Sequence, residues 1–320
     1  MKTIVNSLLI LSIFIAGPVS AQSNLSNINP TEITIDLSPE FPKPGEQVTA
    51  TLNDYSGGAY GSSVNWIFDG QEITEAKNQR QTTFTAGANG VTQTIEVVLQ
   101  KTNGSNEVIE TSIKPIYLDI IIEPQTRVPD FYLGRALPSI GSTVNATALI
   151  SGEGFRNPDL IYTWKVDNKV IEGGALRARN KISFTVPRGS SYTLMLEVTD
   201  LTGKIIAKRA ILLPSVKPEI LFYENNSLFG ISTKAISKSF PIVGQSVEIK
   251  AEPYYLDSNI YNSPSYHQWK IDGVVNTNIN NPYVVTLQKI SDFGSSNLDF
   301  EVRDTKQVLQ GAEASLQINF

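Results

Sequence analysis

Trp66-Ile67-Phe68-Asp69-Gly70, Trp164-Lys165-Val166-Asp167-Asn168 and Trp269-Lys270-Ile271-Asp272-Gly273 are three versions of one five-residue stretch. They hold all three tryptophans of the 320-residue chain. Upstream of each Trp stands a Pro- and Gly-bearing signature: Phe41-Pro42-Lys43-Pro44-Gly45, Leu137-Pro138-Ser139-Ile140-Gly141 and Phe240-Pro241-Ile242-Val243-Gly244. Downstream stands a Glu-Val pair, at Glu96-Val97, Glu197-Val198 and Glu301-Val302. Gly-to-Trp separations are 21, 23 and 25 residues, and Trp-to-Glu separations are 30, 33 and 32. Fixed signatures with small length drift between them are what loop insertions do to a common scaffold.

Around these signatures the hydrophobic period is two. Val48, Ala50 and Leu52 alternate with Thr49 and Thr51, while Leu298, Phe300 and Val302 alternate with Asp299 and Glu301. Such alternation marks half-buried strands, and Asp69-Gly70, Asn103-Gly104, Thr202-Gly203 and Asp272-Gly273 supply hairpin turns between them. No stretch makes an amphipathic helix of ten or more residues. The pattern predicts an all-β chain of three tandem antiparallel β-sandwiches.

Boundaries follow from Ser112-Ile113-Lys114-Pro115 and Ser215-Val216-Lys217-Pro218, near copies 103 residues apart, each followed by an apolar strand. Pro30 plays the same part for the first unit, since proline belongs at the first position of a strand or in a linker. The expected units are 30–114, 115–217 and 218–320. The second and third share a 26-residue gap from Pro to Gly, against 15 in the first.

A Trp on a central strand, a Pro-Gly lead into the strand before it, and the run Tyr192-Thr193-Leu194-Met195-Leu196-Glu197-Val198-Thr199-Asp200-Leu201-Thr202-Gly203 resemble immunoglobulin-like modules. The variety most resembled is the polycystic-kidney-disease (PKD) type of bacterial surface and secreted proteins. PKD modules follow the Trp with an aromatic and Gly-Asp-Gly; here Asp69-Gly70, Asp167-Asn168 and Asp272-Gly273 stand in that place. The resemblance implies non-catalytic sandwich repeats that serve as spacers and interaction modules.

Antibody-type sandwiches add a disulfide, but this chain has no Cys. Each unit must therefore rest on Trp66, Trp164 or Trp269 as its structural core. A buried indole hides up to ~250 Å², worth roughly 4–6 kcal/mol as an upper estimate.

The beginning of the chain carries an address. Lys2 precedes the apolar run Leu8–Ala16, then Gly17-Pro18 and the small residues Val19-Ser20-Ala21. This reads as a Sec-type signal peptide over 1–21, with a short linker at 22–29, and its apolar run is shorter than the ~20 residues that span a bilayer. The expected location is extracytoplasmic: secreted, periplasmic or at the cell surface. An exported chain without Cys suits a bacterial source. A net charge of −5, without any long Lys/Arg cluster, argues against nucleic-acid partners.

The chemistry available is sparse. The single His267 sits two residues before Trp269, at the position of Val64 and Tyr162, so alternation turns it toward the core as a half-buried structural residue. Without a second His or any Cys, no catalytic constellation can be assembled, and the chain reads as a non-enzyme. Asp69, Asp167 and Asp272 fall in turns, where Asp accepts backbone hydrogen bonds; Ca²⁺ ligation is the alternative reading, as loop carboxylates are hard oxygen donors. No cofactor is otherwise expected. The most suggestive surface feature is the loop Glu252–Tyr266 of the third unit, with Tyr254, Tyr255, Tyr261 and Tyr266 among Ser, Asn and Pro. Tyr with Ser and Asn is the composition of adaptable recognition loops. The expected function is an exported, rod-like spacer and protein-interaction module for adhesion or for an envelope or appendage. The alternative is a carbohydrate-binding protein whose Tyr loop stacks on glycans.

Overall fold

The computed structural model describes residues 33–320 apart from 153–154, 278–279, 290 and 292. The predicted signal peptide (1–21) and linker (22–29) lie outside the described residues.

The alternating segments all form strands. The first unit holds β1 (Ile33–Ser38), β2 (Gln47–Asp54), β3 (Ser63–Phe68), β4 (Gln71–Glu72), β5 (Gln81–Thr85), β6 (Gln93–Gln100) and β7 (Asn106–Ile113). The second holds β8 (Tyr117–Pro124), β9 (Thr143–Ser151), β10 (Ile161–Val166), β11 (Lys169–Arg177), β12 (Lys181–Thr185), β13 (Ser191–Thr199) and β14 (Ile205–Pro214). The third holds β15 (Glu219–Asn226), β16 (Gly230–Ile231), β17 (Ser239–Pro241), β18 (Ser246–Tyr254), the short helix α1 (Ser258–Asn262), β19 (Tyr266–Ile271), β20 (Val274–Asn276), β21 (Val284–Gln288), β22 (Ser295–Arg303) and β23 (Gly311–Asn319).

Each unit is two sheets. The first pairs β1-β2-β5 in one and β4-β3-β6-β7 in the other, and the second repeats this as β8-β9-β12 and β11-β10-β13-β14. The third adds a strand to each, as β16-β15-β18-β21 and β17-β23-β22-β19-β20. A three-stranded sheet facing a four-stranded one, with the chain crossing between them before and after the fifth strand, is the immunoglobulin-like order. The chain is thus an array of tandem immunoglobulin-like β-sandwiches, and each has its own buried apolar cluster.

Trp66, Trp164 and Trp269 lie at the centre of these clusters, all buried. Each indole N–H donates to the carbonyl that leads into the strand at the edge of the opposite sheet: Trp66 to Gln79 at 2.8 Å, Trp164 to Arg179 at 3.3 Å and Trp269 to Pro282 at 2.9 Å. One side chain thus fills the core with its rings and ties the two sheets with its one polar atom.

The Pro-Gly signatures lead the chain into β2, β9 and β18, and on the way they touch the last strand of the sandwich or the residues just after it. In the third unit β17 runs parallel to β23, Phe240 opposite Ile318. In the second, Ser139 forms a parallel bridge with Val216. In the first, Pro42 O accepts from Ile116 N at 3.2 Å. The turn that follows needs a left-handed residue, and Gly45, Gly141 and Gly244 sit at φ 74°, 83° and 110°.

The Asp-bearing hairpins are built alike. Asp69, Asp167 and Asp272 have φ 51°, 47° and 48°, and the residue after each is also at positive φ. Two consecutive positive-φ residues form the hairpin turn whose twist matches the strands, and Asp, Asn and Gly tolerate it best. Asp167 Oδ1 accepts from Thr193 N at 2.9 Å, and Asp272 Oδ1 accepts from Asn297 N at 2.7 Å.

Two mutational outcomes follow. Trp164→Ala should destabilise the second unit by about 3–5 kcal/mol, seen in calorimetry as early loss of one transition out of three. A shift of only a degree or two would remove the indole from its central role. Asp272→Ala should cost about 1–2 kcal/mol, from the left-handed backbone and the lost acceptor, while Asp272→Asn, which keeps the oxygen, should stay close to the parent.

Candidate functional site

The loop flagged for its tyrosines lies at the junction of the second and third sandwiches. On the outer face of the β15–β18 pair, cross-strand partners place Tyr223 beside Lys250, Leu221 beside Glu252 and Glu219 beside Tyr254. An outward sheet face is ordinarily wet, yet Tyr223, Glu252 and Tyr254 are all buried. What covers them is the segment 125–142 of the second unit, the long passage between β8 and β9.

This segment, which we call the arm, packs Phe131 edge-on against Tyr223 with ring centroids 5.3 Å apart, and Tyr132 against Tyr254 at 5.4 Å. Backbone pairing fastens it: Arg127 N donates to Leu256 O at 2.7 Å, Tyr255 N to Arg127 O at 2.7 Å and Ser258 N to Gln125 O at 2.8 Å. Hydroxyls add two further links, Tyr132 to Tyr255 at 3.1 Å and Tyr223 to Tyr254 at 2.6 Å. Burial raises the Tyr223, Tyr254 and Tyr255 hydroxyls above the ordinary phenol range, and the neighbouring phenols and Glu252 sharpen the effect for Tyr254.

The fully buried Glu252 is held by cations from both units. Lys250 Nζ is 2.9 Å from one carboxyl oxygen, and Arg127 Nη2 of the arm is 3.7 Å from the other. Removing either cation takes the nearest positive charge from one of two buried carboxyl oxygens. Arg127 also donates to Asp130 at 2.9 Å and lies 5.3 Å over the Tyr261 ring.

Gln310, fully buried in the turn before β23, closes the joint. Its Nε2 donates to Ser139 Oγ at 2.9 Å and to Ile140 O at 2.7 Å, while its Oε1 accepts from Asp257 N at 2.8 Å. Asp257 caps α1 by accepting from Asn259 N at 2.9 Å and reaches back to Thr143 N at 2.9 Å. The whole amide of Gln310 is therefore spent between two units.

Of the four candidate recognition tyrosines, Tyr254 is buried under the arm and Tyr255 is hydrogen-bonded to it. Tyr261 stacks on Tyr283 at 4.5 Å between centroids. Tyr266 is set apart, with Arg303 4.4 Å over its ring. Their aromatic faces turn to partners inside the molecule, so they do not form an open stacking platform. Sequence reasoning missed the arm and Gln310. The 26-residue Pro-to-Gly gap marked extra chain, but nothing in it said where that chain would land.

His267 departs from its predicted setting, for it is exposed although its parity matches buried Trp269. Val64 and Tyr162 at the same position are buried, and the loop ahead of β19 pairs with the arm through Tyr255, Leu256 and Ser258.

The first junction is lighter. Lys43 Nζ reaches Asp119 at 3.3 Å and lies 5.3 Å over the Tyr117 ring, and Arg209 faces Glu46 at 3.7 Å. Asp69, Asp167 and Asp272 belong to three separate hairpins. Among the described residues no three His, Asp or Glu side chains are placed to hold one metal ion, and no helix is long and apolar enough to cross a membrane.

No family model matches the chain, and no curated protein matches it. Among solved structures it is similar to the three N-terminal domains of the bacteriophage RB49 Highly Immunogenic Outer Capsid protein, at 11% identity over 90% of this chain and 97% of that one, with a TM-score of 0.24. It is also similar to Bacteroides ovatus SGBP-B of the mixed-linkage glucan utilization locus, in complex with a mixed-linkage heptasaccharide, at 13% identity over 89% and 70% with a TM-score of 0.24. The central fibronectin-III array of RIM-binding protein gives 12% identity over 91% and 96% with a TM-score of 0.27. At such low overlap the fold assignment rests on the strand order itself.

Gln310→Ala should loosen the joint by about 1–3 kcal/mol, since it strands buried donors and acceptors. Hydrogen exchange should rise in 125–142 and 255–262 while the three cores keep their protection; unchanged exchange there would deny Gln310 its role. The phenols give a pH limit. With folded values raised above the unfolded value of 10.0, their contribution is complete below that pH and lost as pH rises through the folded values. Alkaline titration should therefore show tyrosinate absorbance appearing together with faster exchange of the arm.

Proposed function

We propose that this chain is a non-catalytic, exported protein of the cell surface or the secreted fraction, acting as a spacer that presents its modules to protein partners. One observation carries the reading: the residues richest in recognition chemistry are spent on holding one sandwich to the next. Glu252, Tyr254, Asp257 and Gln310 are buried between units, which converts a string of domains into a stiffened segment. A short linker alone leaves domains free to swivel, whereas a buried, hydrogen-bonded joint supports transmitted force and fixed spacing. Adhesion, envelope architecture and appendage assembly all use that property.

The address supports the same reading. An N-terminal signal peptide would deliver a Cys-free chain outside the cytoplasm, where packing around the indoles serves in place of a disulfide. Partners are expected to be proteins, met through exposed sheet edges or loops. The carbohydrate alternative is weakened by the placement of the Tyr loop.

Small-angle scattering should give the profile of a semi-extended rod, and a sphere-like profile would defeat the spacer reading. N-terminal sequencing of exported protein should begin at Gln22. On a glycan array the chain should show no binding that Tyr261→Ala abolishes; such binding would restore the carbohydrate reading.

A further inference from the structure

The internal repeat and the second junction together leave one half-joint without a counterpart in the first unit and one in the third, among the described residues. Counted from the signature glycines, Tyr254 is the tenth residue after Gly244, and Tyr55 is the tenth after Gly45. Tyr254 is 4% exposed beneath the arm of the preceding unit, but Tyr55 is 52% exposed, and Tyr60 in the same loop stands almost wholly in solvent. The first unit thus carries a docking tyrosine with no arm upon it among the described residues.

The third unit carries the reverse. Its Pro-to-Gly gap equals that of the second unit, so Gln125, Thr126 and Ile140 correspond in register to Leu228, Phe229 and Val243. In the second unit those positions sit in the joint: Gln125 O accepts from Ser258 N, Thr126 pairs with Asp257 and is buried, and Ile140 O accepts from Gln310. In the third unit Leu228, Phe229 and Val243 are 85%, 88% and 91% exposed. Leu228 and Phe229 form the turn between β15 and β16, and Val243 lies in the turn into β18, at the same end of the sandwich. Scattered apolar residues on a surface are ordinary, but three from adjoining turns at one end mark an interaction site. The first unit, with its short gap, has no arm, and the second has Ser151 where the docking tyrosine would stand. The arm's position and the docking tyrosine therefore occur twice each, and among the described residues one such pair meets within the chain.

Charge fits the remaining pair. The joint inside the molecule sets basic Arg127 of the arm against Glu252 of the receiving face. The counterpart of the arm in the third unit, 227–238, lies back along β15 through β16 and the Phe222–Ile236 bridge, and it holds Lys234 and Lys238 and no acid. The receiving face of the first unit holds exposed Asp36, hydrogen-bonded to Asn53 at 2.5 Å.

We propose that the chain associates head to tail with a second copy of itself, the 227–243 end of the third unit seating on the Tyr55 face of the first unit and continuing the series of joints from molecule to molecule. Such a contact is heterologous, so it continues from copy to copy as a filament or closes into a ring, and does not stop at a symmetric dimer.

The test is sedimentation velocity of the purified chain over a concentration series, with Phe229→Asp and Tyr55→Asp, both exposed positions whose folding is checked by thermal melting. The parent should show a ladder of species growing with concentration, and each variant alone should run as one chain. An equimolar mixture of the two variants should give two-chain particles and nothing larger, because one intact arm meets one intact tyrosine face and both outer ends are broken. A parent that stays a single chain at every concentration, a ladder that survives either variant, a parent that stops at two chains, or a mixture that fails to pair would each overturn the proposal. These outcomes are independent of the scattering profile that tests the spacer reading.

Discussion

The indole in each sandwich is the constraint on which the rest depends. A two-layer β-fold of this size is held by the contact between its sheets, and with no disulfide that contact must come from packing and a few well-placed hydrogen bonds. Trp66, Trp164 and Trp269 supply both, since each buries its rings and donates its N–H across to a carbonyl ahead of the opposite edge strand. In the third unit the indole also meets Phe300 at 4.4 Å and Phe222 at 6.1 Å, so aromatic stacking thickens the layer. That the same donor finds the same strand lead in all three units explains why the spacing from Trp onward drifts so little. The loop between them can change only where it does not move the acceptor.

The fold was legible because its determinants are local and repeated. Alternation marks a strand wherever one face is buried, and the Asp-Gly pairs declare hairpins because few other residues accept two consecutive positive φ values. The Pro-Gly signature was visible as a motif, but its work was not, since the parallel contact with the last strand joins residues about eighty positions apart, as with Phe240 and Ile318. His267 shows the limit of parity. Alternation says which face a side chain takes, and burial needs something on that face to cover it.

The candidate site was half legible for the same reason. Tyr, Ser and Asn in the 252–266 loop announced a surface built for contact, and contact is what they make. What composition could not give was the identity of the partner, because the arm lies more than a hundred residues upstream and nothing in its own sequence names the surface it packs on. Gln310 was invisible. A single amide in a turn gains meaning only when Ser139, Ile140 and Asp257 converge on it.

The two junctions differ in kind, and the difference is one of desolvation. Lys43 with Asp119 and Arg209 with Glu46 are partly exposed pairs, worth at most about 1 kcal/mol each and screened by salt. The second joint encloses aromatic rings, a fully buried glutamate and a fully satisfied amide, and groups of that kind tolerate no half-open state, since each partner lost leaves a stranded polar atom. The first junction adds backbone bonds to those pairs, Ile116 N to Pro42 O at 3.2 Å and Gly90 N to the carbonyl of buried Pro115 at 2.7 Å, so the two joints differ in what they desolvate: partly exposed ion pairs at the first and a fully buried carboxylate at the second.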